Sequence, residues 1–200
     1  MGTVKSLLLG MCFVLGACTS QTSTVQTTEK GTQWEWQNGT IVVKTPERPA
    51  GQKSVLGLTT PKLEAVRVGF VGLGMRGPGA VERFTYIPGT QVVALCDYEE
   101  ARADKCQELL KKASMPKAAV YSGDKGYEEL CKRDDIDLVY VAADWLHHFP
   151  VAKCALENGK NVAIEVPSAM NLQECWDLIN LSESTRKHCF ILEHCCYDWF

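Results

Sequence analysis

Residues 66–79, VRVGFVGLGMRGPG, contain the pattern that decides the fold. The first part of this stretch, VRVGFV, is mostly apolar and predicts a buried strand. Directly after it, Gly72, Gly74 and Gly77 form the spacing G-x-G-x-x-G. In dinucleotide-binding folds the first glycine allows a tight turn, the second admits a diphosphate to the backbone, and the third lets the next helix pack on the strand. The stretch therefore predicts a strand, a phosphate-binding turn and a helix.

An acidic residue, Asp97, follows at the distance that this motif requires. It comes directly after the second predicted strand, QVVALC (91–96), and lies twenty residues beyond Gly77. A carboxylate in this position accepts hydrogen bonds from the hydroxyls of the adenosine ribose, and it would repel a 2′-phosphate. We therefore expect NAD rather than NADP as the cofactor. Arg76, inside the glycine-rich turn, is placed to flank the diphosphate.

From Val66 onward the chain alternates between apolar, strand-like runs and helical segments. This alternation predicts an α/β fold with a doubly wound parallel sheet, the Rossmann dinucleotide-binding domain, over residues 63–200. The predicted strands are 66–71, 91–96, 118–122, 137–143, 161–166 and 189–195. The predicted helices are 79–86, 99–113, 125–132, 149–158 and 171–187.

The segments that follow the later strands are expected to line the same crevice, because ligands of such sheets bind at the carboxyl ends of the strands. These segments are DWLHHFP (144–150), EVPSAMN (165–171) and EHCCYD (193–198). His147 and His148 are adjacent, so they point in different directions and make a poor metal pair. We expect both to line the cofactor pocket. The alternative is that they are polar residues at the start of a helix.

Charge and cysteine usage exclude other classes of function. The net charge is −3 and no run of basic residues exceeds two, so the sequence predicts no nucleic-acid partner. The chain has ten cysteines but no C-x-x-C spacing, and most of those after residue 18 fall on predicted core faces. We therefore expect buried free thiols rather than a disulfide framework, and no metal site.

The first eighteen residues differ in character from the rest. One Lys precedes an apolar run too short to span a bilayer, which is typical of a secretory signal peptide. LGAC (15–18) has the form of a bacterial lipobox, so we predict lipidation of Cys18. The protein would then be lipid-anchored to the membrane of a bacterial cell envelope, facing the periplasm or the surface. A plain signal peptide is the alternative.

Residues 19–62 join this leader to the predicted domain. Their first part is rich in Ser, Thr and Gln and predicts a flexible tether, and their last part predicts an irregular arm. Between them, Asn38-Gly39 is a strong turn signal and indicates a short hairpin.

Three longer stretches resemble a known family. They are VGFVGLGMRGPGAVERFTYIPGTQVVALCDY (68–98), AADWLHHFPVAKCALENGKNVAIEVPSAMN (142–171) and CCYDWF (195–200). They are similar to glycoside hydrolase family 109, the NAD-dependent α-N-acetylgalactosaminidases, within the glucose-fructose oxidoreductase and inositol dehydrogenase superfamily. The resemblance covers about two thirds of the chain and corresponds to the N-terminal half of the family.

The resemblance implies hydrolysis of a terminal N-acetylgalactosamine with NAD as cofactor. The sugar would be oxidised transiently at C3, elimination would expel the aglycone, water would add, and the hydride would return. The family continues into an open-faced sheet domain with the substrate and acid–base residues. We therefore expect them beyond Phe200, treat this chain as the cofactor-binding half, assign it no catalytic residue and expect no turnover by it alone. Whether it forms a homo-oligomer stays open.

The motif and the resemblance together imply a set of NAD contacts. His194 is included, although the family pattern has Asn there. The set is Gly72, Gly74, Met75, Arg76, Gly77, Asp97, Trp145, Leu146, His147, His148, Glu165, Val166 and His194.

One position separates the family from other members of its superfamily. Dehydrogenases there usually carry Glu-Lys-Pro after strand five, and the Lys helps to deprotonate the reacting hydroxyl. Here the residues are Glu165-Val166-Pro167, and Val cannot transfer a proton. The sequence therefore favours an NAD-dependent glycosidase. An NAD-dependent sugar or cyclitol dehydrogenase and a non-catalytic nucleotide-binding fragment are the alternatives.

Overall fold

A small antiparallel sheet precedes the main domain in the computed structural model, which describes residues 25–27 and 33–193. Its strands are β1 (Gln26–Thr27), β2 (Gln33–Gln37) and β3 (Thr40–Val43). Asn38 and Gly39 join β2 to β3 with φ angles of 50° and 77°, the geometry for which an Asn-Gly pair is suited. β1 pairs with β2, so part of the segment predicted as a flexible tether is a strand. Cys18 and His194 lie outside the described residues.

In the part of the chain that the structure describes, six parallel strands form the central sheet, in the spatial order β6-β5-β4-β7-β8-β9. They are β4 (Val66–Val71), β5 (Thr90–Asp97), β6 (Ala119–Ser122), β7 (Leu138–Val141), β8 (Asn161–Ile164) and β9 (Cys189–Ile191). The order reverses between β4 and β7, which is where open α/β sheets bind their ligands.

The described residues form five helices, which cover the two faces of this sheet. They are α1 (Gly77–Phe84), α2 (Glu100–Lys112), α3 (Gly126–Cys131), α4 (Trp145–Glu157) and α5 (Leu172–Thr185). Residues of α1 and α2 pack with Phe70 and Leu95 in one buried cluster, while α3, α4 and α5 pack with Val139 and Ile164 in another. The doubly wound α/β fold predicted from the alternating pattern is confirmed.

Helix α4 begins four residues earlier than predicted. Asp144 caps it, because its carboxylate accepts a hydrogen bond from the backbone N–H of Leu146 at 2.9 Å. Pro150 therefore lies inside the helix rather than at its start. His147 and His148, which lie before the predicted helix 149–158, are in the first turn of α4, as the alternative interpretation of the two residues had it.

The segment 44–62 contains no helix or strand, yet it is fastened to α5. Arg48 forms an ion pair with the buried carboxylate of Glu183. Gln52 Nε2 donates a hydrogen bond to the carbonyl of Asn180 at 2.9 Å. Just beyond α5, Arg186 Nη1 donates to the carbonyl of Lys53 at 2.6 Å. The arm is irregular but has a fixed path over the domain.

The described residues contain six cysteines, and all of them are free: Cys96, Cys106, Cys131, Cys154, Cys175 and Cys189. Burial and the nearby charge of Asp97 raise the pKa of Cys96 to about 12 and that of Cys106 to about 11. In the same part of the chain, no three His, Cys, Asp or Glu side chains are grouped to hold a metal ion. None of the described helices combines the length and apolar character that crossing a membrane requires.

An ion pair ties the amino end of β4 to the amino end of β7. Asp137 Oδ2 accepts from the backbone N–H of Arg67 and from its Nε, both at 2.9 Å, and Oδ1 accepts from Nη2 at 2.7 Å. These hydrogen bonds outweigh the effect of burial and lower the pKa of Asp137 below its ordinary value. The carboxylate therefore stabilises the fold at pH values above the ordinary Asp pKa of about 4, and this stabilisation is lost as pH falls through the lowered pKa.

We expect Asp137→Asn to lower the free energy of unfolding by about 1 to 2 kcal/mol at pH 7, because the charged hydrogen bonds to Arg67 are lost. Urea unfolding at pH 7 and near pH 3 checks this, since the difference from the wild type should shrink at the lower pH. Asp134→Asn, at an exposed position nearby, is the control and should change little. Equal effects of the two substitutions would contradict the assignment.

Candidate dinucleotide-binding site

A cavity of about 650 Å³ opens at the carboxyl ends of the strands, where the strand order reverses. The turn between β4 and α1 forms one wall, and the start of α4 forms another. The carboxyl end of β5, the residues that follow β6, β7 and β8, and side chains of α2 and α3 also contribute to the lining. This is the position at which parallel α/β sheets bind dinucleotides.

Each glycine of the motif has the surroundings that its role requires. Gly72 has φ +92°, and a Cβ there would overlap the backbone of Ala142 and Ala143. A Cβ on Gly77 would overlap the carbonyl oxygen of Gly72. At Gly74 a Cβ would meet only Nη1 of Arg102, at 3.5 Å. The first and third glycines thus permit close packing, while the second leaves open space for a ligand at the rim of the cavity.

Asp97 fastens the glycine-rich turn to the end of β5. The residue is only 6% exposed, and its Oδ2 accepts a hydrogen bond from the backbone N–H of Leu73 at 2.6 Å. Its Oδ1 accepts from the backbone N–H of Glu99 at 3.0 Å and lies 3.4 Å from Nη1 of Arg102. Asp97 also lines the cavity, and each carboxylate oxygen has more than one acceptor site. It therefore shapes the turn and can still accept from a ribose hydroxyl.

The first turn of α4 presents two histidines in different settings. His147 is exposed, and its Nδ1 lies 2.6 Å from Oδ2 of Asp144. Burial opposes ionisation of Asp144, but this contact and the N–H of Leu146 lower its pKa. His148 is 1% exposed, and its Nδ1 lies 2.6 Å from the carbonyl oxygen of Pro167.

The contact with Pro167 fixes the tautomer of His148. A carbonyl oxygen can only accept, so Nδ1 carries the proton and Nε2 of the neutral ring is an acceptor. Nε2 is buried and has no hydrogen-bond partner among the described residues. Because His148 lines the cavity, this acceptor is available to an N–H or O–H group of a ligand.

Glu165 and Val166 line the cavity at the end of β8. Tyr140 donates its hydroxyl to Oε1 of Glu165 at 2.7 Å, and its ring stacks on Phe70 with 5.0 Å between the centroids. Burial and the Glu165 carboxylate raise the pKa of Tyr140 well above its ordinary value. The tyrosine therefore stays protonated as a donor and holds Glu165 in place.

The cavity brings together most of the predicted contacts: Gly72, Gly74, Met75, Arg76, Asp97, Trp145, His147, His148, Glu165 and Val166. Gly77 is buried behind the turn and is not in the lining. Leu146 is 71% exposed and is not in the lining either. His194 was also predicted as a contact, but it lies outside the described residues.

Several lining residues were not predicted, among them Tyr98, Arg102, Gly123, Asp124 and Tyr127. Gly123 and Asp124 follow β6, so the rule about carboxyl ends of strands would have found them. Arg102 lies on α2 and reaches the turn only through the tertiary packing, for which the sequence has no comparable signal.

Residues 66–193 match the family model described as "Oxidoreductase family, NAD-binding Rossmann fold". The chain is 80% identical over its whole length to glycosyl hydrolase family 109 protein 4 of Phocaeicola vulgatus, of which it covers 39%. It is 57% identical to glycosyl hydrolase family 109 protein 1 of Bacteroides thetaiotaomicron, with 98% of this chain and 41% of the relative covered. The chain thus spans about two fifths of the length of these relatives.

Two solved structures show how the fold is used elsewhere. The myo-inositol dehydrogenase of Lactobacillus casei in complex with NAD(H) and myo-inositol has a TM-score of 0.59 at 25% identity, with 67% of this chain and 38% of that chain covered. The biliverdin reductase of Synechocystis in complex with biliverdin and NADP⁺ has a TM-score of 0.54 at 26% identity, with 63% and 37% covered. The same fold therefore holds NAD(H) in one protein and NADP⁺ in the other.

The glycine-rich turn, the carboxylate at the end of β5 and the cavity at the reversal of the strand order agree with these matches. The chain belongs to the oxidoreductase family with the NAD-binding Rossmann fold, and along its length it matches glycosyl hydrolase family 109 proteins.

Proposed function

We propose that this chain is the cofactor-binding part of an NAD-dependent glycosidase that releases terminal N-acetylgalactosamine. The observation that carries the proposal is its high identity, along the whole chain, to proteins named as glycosyl hydrolases of family 109. The relatives extend well beyond the length matched here, so the acid–base and substrate residues are proposed to lie in the remaining part of the whole protein.

When bound, NAD would supply a hydride acceptor for transient oxidation of the sugar at C3, and the same hydride would return after elimination and addition of water. The residues of this chain hold and orient the cofactor. The backbone at Gly74 and the start of α1 would receive the diphosphate. Asp97 would accept from the adenosine ribose, and Nε2 of His148 would accept from a donor deeper in the cavity.

Val166 supports a glycosidase over a plain dehydrogenase. It lines the cavity directly after Glu165, where the dehydrogenases of the superfamily usually place a proton-transferring Lys. An apolar side chain there cannot take the proton of the reacting hydroxyl. This part of the chain therefore orients the cofactor, and proton transfer is left to other groups of the whole protein.

The lipobox at residues 15–18 adds a location to this proposal. Lipidation of Cys18 would attach the protein to a membrane of the bacterial cell envelope. Metabolic labelling with a fatty-acid analogue tests this, and labelling that persists in Cys18→Ser would contradict it.

The function is tested with a chimera in which residues 1–200 replace the matching segment of the Phocaeicola vulgatus relative. With an aryl α-N-acetylgalactosaminide and a catalytic amount of NAD⁺, we expect release of the aglycone without accumulation of NADH. Stoichiometric NADH would instead indicate a dehydrogenase. Binding of NAD⁺ with neither activity would indicate a non-catalytic nucleotide-binding chain.

The glycine roles predict that two similar substitutions act differently. Gly74→Ala should leave the fold intact and weaken NAD⁺ binding by about tenfold, because the new methyl group fills the space left for the ligand. Gly72→Ala should lower the free energy of unfolding by about 3 kcal/mol or more, because its Cβ overlaps backbone and its φ is positive. Calorimetry measures the first effect and urea unfolding the second. Undisturbed binding by Gly74→Ala would contradict its assigned role.

Asp97 can be tested with a graded pair of substitutions. Asp97→Ala should weaken NAD⁺ binding by about 2 to 3 kcal/mol, because it removes both the acceptor for the ribose hydroxyl and the acceptor for the N–H of Leu73. Asp97→Asn keeps one acceptor oxygen for the N–H of Leu73. Its NAD⁺ affinity should therefore lie between that of Asp97→Ala and that of the wild type. Calorimetric titration gives the three affinities. Equal affinities for all three proteins would refute the role.

A further inference from the structure

Arg102 places a positive charge between the two parts of the site that would receive phosphate and ribose. Its Nη1 lies 3.4 Å from Oδ1 of Asp97 and 3.5 Å from the position that a Cβ on Gly74 would occupy. The side chain is 42% exposed and lines the cavity. Any ribose hydroxyl bound by Asp97 is therefore within reach of this guanidinium.

Glu99 occupies the other side of the same guanidinium. Its Oε1 accepts from Nη2 of Arg102 at 3.0 Å, and its backbone N–H donates to Oδ1 of Asp97 at 3.0 Å. The guanidinium is thus held by two carboxylates. This cluster, Asp97, Glu99 and Arg102, carries two negative charges and one positive charge.

The same fold holds NAD(H) in one solved protein and NADP⁺ in another, so the fold alone does not determine which of the two dinucleotides is bound. NADP differs from NAD only by a phosphate on the 2′-oxygen of the adenosine ribose, and an Arg beside that ribose is the usual phosphate partner. Arg102 has this position, but Glu99 already engages it and adds a negative charge next to Asp97.

We propose that Glu99 is a specificity-determining residue that makes this site reject NADP. It neutralises the guanidinium that would otherwise bind a 2′-phosphate, and it repels the phosphate itself. The inference rests on the NAD site proposed above and concerns the choice between the two dinucleotides, not the reaction.

Glu99→Gln tests the proposal without removing a structural contact that the helix needs. Glu99 is the N-cap residue of α2, but its side chain makes no capping hydrogen bond. We expect the ratio of NADP⁺ affinity to NAD⁺ affinity to rise about fivefold or more in Glu99→Gln, because the guanidinium becomes available to the 2′-phosphate. Isothermal titration calorimetry of the full chain with each dinucleotide measures this ratio.

Two further variants test whether Arg102 causes the expected rise in the ratio of NADP⁺ affinity to NAD⁺ affinity. In the double variant Glu99→Gln/Arg102→Gln, most of this rise should be lost, because the guanidinium that would bind the 2′-phosphate is missing. Glu108→Gln removes the same charge from the ion pair with Lys111 near the other end of α2, and it should leave the ratio unchanged. Added salt should reduce the rise in the affinity ratio of Glu99→Gln, since it screens the attraction between Arg102 and the 2′-phosphate.

The outcomes separate this inference from the function on which it rests. Intact NAD⁺ binding with an unchanged ratio in Glu99→Gln overturns the role of Glu99 alone. A gain of equal size in Glu108→Gln also overturns it, because a general charge effect would then explain the result. A wild-type chain that binds neither dinucleotide overturns the proposed function and this inference together.

Discussion

The hydrogen bond from the backbone N–H of Leu73 to the carboxylate of Asp97 joins the two segments on which the site depends. Leu73 lies inside the glycine-rich turn, and Asp97 ends the neighbouring strand β5. A buried carboxylate needs hydrogen-bond donors, and the buried amide of Leu73 needs an acceptor, so each satisfies the other. The turn is therefore held in shape by a contact within the protein itself.

The lining of the cavity combines hydrogen-bond acceptors with a positive charge. Its side chains offer acceptors at Asp97, at Nε2 of His148 and at Glu165, each held by a contact with a neighbouring segment. The cation of Arg102 also lines the cavity, next to Asp97 and close to Gly74 of the turn. Such a surface suits a ligand with hydroxyl groups at two places and an anionic centre between them. A dinucleotide has this arrangement.

The sequence predicted the features that depend on local patterns and missed those that depend on tertiary packing. The glycine spacing located the cavity, because a tight turn followed by a helix is specified by neighbouring residues. The predicted start of α4 at residue 149 was wrong, because Asp144 caps the helix and it begins at Trp145. The different roles of His147 and His148 could not be predicted, because the hydrogen-bond partner of His148 is the carbonyl of Pro167, which belongs to another segment of the chain. Arg102 was missed for the same kind of reason.

Cys96 lies in the wall of the cavity beside Asp97, and its pKa of about 12 has a consequence for the durability of the site. At neutral pH the sulfur is almost entirely in the thiol form, whereas electrophiles and peroxides react with the thiolate. A nucleotide pocket with an ionised cysteine would be open to sulfenylation or mixed-disulfide formation in oxidising surroundings. Here burial, together with the negative charge of Asp97, keeps the Cys96 thiol protonated and therefore unreactive.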